Sequence, residues 1–480
     1  MSSQPIWLWT ECPRVMKIEF GTHCVDKGHR GYYYGYNALI PIYKQLGVFA
    51  SQCKSNETDC PQQEEMFHKA FIVWVVVQMC VITGAGFLMD RVGLRALKLI
   101  SVGVYFLGTL MFAFTSGGSS ALFFVAGIFT ALSGTSFLIC SHQISSMFPR
   151  YRGFVVSLLS GAFDSSGFVT YLIGQTAPGI SLRTSFVVLA CCALIYGTGM
   201  GLFALKRWSS EMGEDGKQPS DSDFTTPEKG DAENLASLLR ITLFHHWIRS
   251  SNRHSVDTRI QRYLEKRYTS FGRCIRSWPF VLVTLWFMVA LLRFCYFLTQ
   301  MSQQLVYLFG DDTETIKHLQ SISSALLMCG FLISPVSGVI LDSSRAFYRR
   351  RMSRSSISDD AELYWMSLRG IAPAFLMLAV TAVTLSGLNF VKSKITYYIA
   401  FVLFVVLRSL LFSASVNFVL IAFPIQRFGT VNGLVNTIGG IFSLLQYGLI
   451  RWEAVPSNAL VTALTALLFI SPVILFFKKQ

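Results

Sequence analysis

Charge is what this chain has least of. Only 14% of its 480 residues are Asp, Glu, Lys or Arg, against 52% hydrophobic, and carboxylates are scarcer than cations, 27 to 41. A soluble protein is about one quarter charged, so the balance excludes an ordinary water-soluble domain and fits a chain whose main solvent is lipid. The eight His show no metal-ligand spacing, and the eleven Cys form no disulfide framework over this length. No G-x-x-x-x-G-K-[ST] loop occurs, which argues against ATP-driven chemistry. Met1 to Arg30 is polar and broken, without the continuous apolar stretch of a cleaved signal peptide. The positive excess does not point to nucleic acid, because the basic residues fall in loops between apolar runs.

Long apolar runs are what is there. About 20 apolar residues cross the hydrocarbon layer as a helix, since lipid offers no partner for free backbone groups. Such runs begin near Ala70, Ala96, Ser120, Phe154, Ser185, Pro279, Ser321, Ile371, Tyr397, Gly433 and Ala459. The segment 31–50 is shorter, aromatic and interrupted by Lys44, and is read as the first of twelve spans. Arg91, Arg95 and Lys98, then Arg150 and Arg152, then Arg427, and finally Lys478 and Lys479 fall on one side with the two long loops. The positive-inside rule makes that side, with both termini, cytoplasmic. The first loop of the opposite side carries a glycosylation sequon at Asn56 between Cys53 and Cys60, and a sequon and a possible disulfide both belong outside the cell. The expected place is the plasma membrane, as a multi-pass monomer.

Four regions follow: an atypical N-terminal segment (1–30), a six-helix half (31–205), a cytoplasmic loop (206–277) and a second six-helix half (278–480). The loop opens acidic and rich in Ser, Asp, Gly and Pro, the composition of a linker. Its part from Asn234 to Ser277 carries nine basic against two acidic residues interleaved with apolar ones. Such a segment reads either as an amphipathic helix on the anionic inner leaflet or as a solvated basic loop.

Two strings recur. Gly86-Phe87-Leu88-Met89-Asp90 closes the second helix and Gly338-Val339-Ile340-Leu341-Asp342 the eighth; MFPRYRGFVVSLLSG at the fourth-to-fifth junction is echoed by AFPIQRFGTVNGLVNTIGG at the tenth-to-eleventh. Two pairs in the same order indicate duplicated halves. GFLMDRVGLRALK, Gly86 to Lys98, resembles the G-x-x-x-D-R-x-G-x-R signature of the major facilitator superfamily. In it Gly86 and Gly93 permit close approach and a tight turn, and Asp90 can pair with Arg91 and Arg95 across a cytoplasmic seam. The resemblance implies an all-α membrane protein of twelve helices in two pseudo-symmetric halves, carrying a small solute by alternating access, with no cofactor and no enzymatic activity. GAFDSSG (Gly161 to Gly167), GISLRTSF, FTSGGSSALFF, SNETDC and LIAFPIQRFGTVNGLV are similar to the family of equilibrative nucleobase and large neutral amino acid transporters. That resemblance covers Gly35 to about Leu449 and implies uniport of purine nucleobases, with neutral amino acids such as leucine as the alternative substrate. A non-transporting receptor-like protein is the rival of another class.

Candidate site residues are the polar groups at membrane depth. Asp164 stands eleven residues past Gly153, about 16 Å along the fifth helix. An ionised Asp there costs about 2.5–3.5 kcal/mol. Either it accepts hydrogen bonds from a substrate, or it pairs with an Arg of the other half. Arg293 in the seventh helix suits a carboxylate, which an amino acid has and a nucleobase lacks. If it pairs within the protein instead, it carries no information on substrate. Arg408 reads as structural or gating, with Gly338 and Asp342. Gln300, Gln304, Asn432 and Asn436, beside Gln78, Gln143, Asn417 and Gln446, can donate and accept as a neutral purine requires, although most such residues bond a neighbouring helix. Tyr36 and Asn37 stand where a ring could stack on a base or anchor an interface. Gly153, Ser157, Gly161 and Ser165, like Gly429, Gly433 and Thr437, recur every four residues, the spacing of close helix packing.

Overall fold

The computed structural model describes residues 39–53, 60–145, 151–164, 167–177, 179–204, 256–310, 312–328, 330–354, 357, 359–449 and 452–477. Tyr36, Asn37 and Asn56 lie outside them, as does 206–255 of the loop. Among the described residues every regular element is a helix, and nine are long and apolar enough to cross a membrane. In the numbering of the expected spans these are the second, third, fourth, sixth, seventh and ninth to twelfth. The fifth is described as Arg152–Asp164 and Gly167–Thr176, the eighth as Thr313–Met328 and Gly330–Arg354. Of the first, the structure describes Ile40–Gln45, packed on the third by the Tyr43 hydroxyl, which donates to the Phe112 carbonyl (3.0 Å).

The helices overrun their apolar cores. The second begins at Pro61, where a proline at N1 costs no hydrogen bond, nine residues before the apolar run. The eighth continues past Asp342 to Arg354, projecting a basic turn beyond the bundle. Between the second and third helices there is no loop at all: Gly93 alone turns the chain, at φ +86°, which a side chain would strain. On the opposite side Cys53 and Cys60 are joined in a disulfide.

Two apolar cores form. In the first half Phe67 and Phe112 meet Phe123 edge to face at 5.1 and 5.5 Å, and the Trp74 indole donates to the Phe124 carbonyl (3.1 Å). The Trp74 ring occupies the space that a side chain at Gly127 would take. In the second half Trp286 stacks on Phe375 (3.9 Å) and Phe294 on Phe404 (5.1 Å), joining the seventh, ninth and tenth helices.

The basic loop segment, which the sequence reads either as a leaflet-bound amphipathic helix or as a solvated loop, is helical and lies on the protein where it is described. Its described part, 256–277, opens with a helix over 256–267 that docks on the protein, burying Ile260 and Leu264, with Tyr268 just after it, against the arginine-rich end of the second half. Arg259 bonds Asp360 (2.6 Å), Arg349 bonds both oxygens of Asp257 (3.0 and 2.9 Å), and Arg427 donates to the Thr269 carbonyl (2.8 Å). Composition announced an amphipathic helix; the apolar face is met by the ends of the eighth to tenth helices rather than by lipid.

Candidate functional site

The two halves meet along two crossings, and in each a repeated string from one half grips the other string from the opposite half. At the first, the second helix packs on the eleventh. A side chain at Gly86 would be driven into the carbonyl of Gly429, and one at Gly433 would lie 2.7 Å from the Ile82 oxygen. Thr437 donates to the Met79 carbonyl (2.7 Å) and meets the Thr83 hydroxyl at 2.8 Å. From Asp90 to Met79 the contact follows eleven residues, about 16 Å, or half the hydrocarbon thickness.

Asp90 closes this crossing. Its carboxylate accepts from the backbone N–H of Gly429 (3.0 Å) and of Thr430 (2.7 Å), and from the Thr430 hydroxyl (2.5 Å). These amides are in the first turn of the eleventh helix, where N–H groups have no partner of their own. An anion there is favoured by the helix dipole, and each charge-assisted bond is worth about 1.5–3 kcal/mol. The second crossing repeats the device. Asp342 accepts from the N–H of Gly153 and of Phe154 (both 2.8 Å), in the first turn of the fifth helix, and Gly338 lies against the Gly153 carbonyl and the Phe154 backbone.

The pairing expected between Asp90 and Arg91 or Arg95 is replaced by these helix caps: Arg91 instead stacks over Phe87 at 4.5 Å. Around the second crossing Arg345 stands 3.6 Å from Asp342.

Buried neutral groups lie on the helices that meet across the two halves. Ser141 and Gln143 on the fourth helix, Ser157 and Ser160 on the fifth, Asn417 on the tenth and Asn432 on the eleventh each hold a buried side-chain oxygen with no hydrogen-bond partner. Asn436 donates to the Asn432 carbonyl (2.7 Å), and Thr299 donates to Gln446 (3.2 Å). Asp164 closes the first segment of the fifth helix; its side chain is outside the description.

The seventh-helix candidates face elsewhere. Arg293, 1% exposed, donates through Nε to the Ser386 hydroxyl (2.8 Å) of the ninth helix and lies over the Phe297 ring (5.5 Å). Gln300 donates to Gln304 (3.1 Å), which donates to the Asn389 carbonyl (3.1 Å) and accepts from Asn458 of the twelfth (3.0 Å). All of these partners belong to the second half. One bond to a hydroxyl and one cation–π contact, about 1.5–3 and 0.5–2 kcal/mol, leave the charge of a buried guanidinium uncancelled. Arg408 lies over Phe294 at 5.4 Å, within the same half.

Ser386 and Asn458 gave no signal in the sequence, since a lone Ser or Asn in an apolar helix is commonplace. The donors to Asp90 were more accessible: Pro424 and Gly429 mark a helix start, whose free amides call for an anion.

Comparison with known proteins agrees with this architecture. Residues 34–446 match the Major Facilitator Superfamily. The chain is 24% identical to the equilibrative nucleobase transporter 1 of Bos taurus, over 93% of its own length and 92% of the relative's. It is also 24% identical to the large neutral amino acids transporter small subunit 3 of Homo sapiens, covering 86% of this chain and 83% of the other. Among solved structures, a proton:xylose symporter superposes with a TM-score of 0.55 at 15% identity over 96% of each chain, and a bacterial homologue of the iron transporter ferroportin with 0.55 at 11%, over 96% of this chain and 98% of that one.

Proposed function

We propose that this chain, which belongs to the major facilitator superfamily, is a multi-pass membrane transporter that carries purine nucleobases such as adenine, guanine and hypoxanthine as a uniporter across the plasma membrane. The arginine-rich end is the cytoplasmic one, with both termini, and Asn56 beside the Cys53–Cys60 disulfide faces outside as the glycosylated residue. The two halves, 31–205 and 278–480, rock about the crossings that Asp90 and Asp342 close, and the protein acts as a monomer. No catalytic role is assigned to any residue.

The observation that carries the substrate choice is the placement of Arg293. An amino acid needs a cation for its carboxylate, and this guanidinium bonds the ninth helix within one half rather than addressing the interface. Assigned to the substrate are the buried oxygens of Ser157, Ser160, Asn417 and Asn432, which have no hydrogen-bond partner and would suit the N–H groups of an uncharged purine. Asp164, Asn432 and Asn436, with Tyr36 and Asn37 from the first span, are proposed to contact the base; Gln300 and Gln304 are reassigned to packing of the second half.

Uptake of labelled adenine and labelled leucine, measured side by side in cells expressing the protein, tests this reading. Adenine uptake, at equal rate with and without a pH gradient, is expected; leucine uptake without adenine uptake sinks the nucleobase assignment, and a requirement for the gradient sinks uniport. Large neutral amino acids remain the second reading, on the strength of the relative that carries that name.

A further inference from the structure

The docked segment exposes a serine in a basic setting that neither crossing uses. Ser270 stands in the short bend between the helix over 256–267 and the one over Phe271–Ile275, and it is exposed, as are Thr269 and Arg273. Its backbone is extended, at φ −130° and ψ 154°, and its side chain makes no cap bond to the helix that follows. Around it the chain reads Lys266-Arg267-Tyr268-Thr269-Ser270-Phe271-Gly272-Arg273. Arg267 comes three residues before the serine and Arg273 three after, and the nearest carboxylate along the chain, Glu265, is five residues away. A further guanidinium comes from a distant part of the sequence. Arg427, at the junction of the tenth and eleventh helices, donates to the Thr269 carbonyl (2.8 Å), one peptide unit from the serine.

We propose that Ser270 is a phosphorylation site for a serine kinase that reads basic residues on both sides of its acceptor, and that Arg427 receives the phosphate. Protein kinases hold the acceptor in an extended stretch of substrate and select it by the charges that flank it. Ser270 meets both conditions, with the Phe271 ring as an apolar neighbour. In the transfer the Ser270 hydroxyl attacks the γ-phosphorus of Mg-ATP, the bond from that phosphorus to the β,γ-bridging oxygen breaks, ADP leaves with the oxygen, and the hydroxyl proton passes to the kinase's catalytic carboxylate. The product carries a charge of about −1.5 to −2 where there was none, and guanidinium groups pair with it bidentately. Arg427 comes two residues before Gly429, whose N–H is held by Asp90. A phosphate that engages Arg427 therefore fastens the docked segment to the helix start on which the first crossing closes. The site rests on the cytoplasmic orientation proposed above for the arginine-rich end, and is independent of which solute is carried.

The test uses the purified full-length protein in detergent, incubated with Mg-ATP and the catalytic domain of protein kinase C. A phosphate mapped to Ser270 by tandem mass spectrometry is expected, retained in Thr269→Ala and lost in Ser270→Ala. Protein without phosphate on Ser270 overturns the site, and that result owes nothing to membrane orientation. Hydrogen exchange at the backbone amides of 268–275 should slow severalfold on phosphorylation, and the slowing should disappear in Arg427→Gln. Equal slowing in that variant overturns the pairing with Arg427. Orientation is read separately, on sealed and permeabilised cells given the same kinase and Mg-ATP. Ser270 labelled only after permeabilisation agrees with a cytoplasmic end, whereas labelling of sealed cells overturns that orientation and leaves the serine's reactivity standing.

Discussion

At the residue scale, two aspartates do the work that several arginines would be expected to do. Asp90 and Asp342 each cap the first turn of a helix in the opposite half, and so convert a free helix end into a latch between halves. Asp90→Ala removes three bonds to one carboxylate, in a half-buried place where solvent takes back part of their strength. We expect at least a tenfold fall in transport rate at normal surface expression, measured as initial uptake; an unchanged rate would reduce the cap to packing. Asp312 illustrates a smaller effect with a definite sign. Hydrogen bonds from the Thr315 hydroxyl and N–H, with Lys394 at 3.6 Å, hold its carboxyl below the usual range. A lowered carboxylate stabilises the fold above its unfolded value, about pH 3.9, and that contribution is lost as pH falls through the lower folded value. The melting temperature of Asp312→Ala should therefore lie below that of the unaltered protein at pH 7, and the gap should close as acidification protonates the carboxyl in the folded state. A gap independent of pH would assign the effect to something other than the charge.

At the scale of elements, the spacing of small residues was the most informative part of the sequence. Gly429, Gly433 and Thr437 do line the face that meets the second helix, because only small side chains let two backbones approach so closely. Gly86→Ala places a methyl in the Gly429 carbonyl and must part the two helices. A cysteine introduced at Thr437 is expected to react severalfold faster with a maleimide supplied on the arginine-rich side in that background; an unaltered rate would mean the crossing tolerates the methyl by sliding. The helix over 256–267 shows where composition stops being sufficient. Its amphipathic pattern was legible, but whether lipid or protein covers the apolar face depends on the ends of helices distant in sequence. Its partly exposed ion pairs to Asp360 and Arg349 are worth about 0–1 kcal/mol each, so the docking rests on Ile260, Leu264 and Tyr268. Leu264→Asp should release the segment to limited proteolysis, whereas Arg259→Ala should leave it protected; equal protection in both would place the attachment elsewhere.

At the scale of the molecule, the duplication explains why two pairs of strings recur: each half supplies one aspartate and one small-residue helix start, and each receives the other's. The strings and their order were visible along the chain, as was the membrane character of the spans. That the first string of one half would pair with the second string of the other was not, since nothing local records which repeated copy a residue meets. Arg293 is the plainest case of what depth alone leaves open. Counting residues places it inside the membrane, but rotation about the helix axis decides whether it faces the interface or the ninth helix, and that is set by packing. The closure of both crossings at the arginine-rich end leaves alternation between the halves as the central claim. Countertransport in proteoliposomes tests it most directly. Vesicles preloaded with unlabelled adenine should take up labelled adenine several times faster at first than empty ones; if they bind adenine but preloading brings no acceleration, the protein is a receptor and does not turn over.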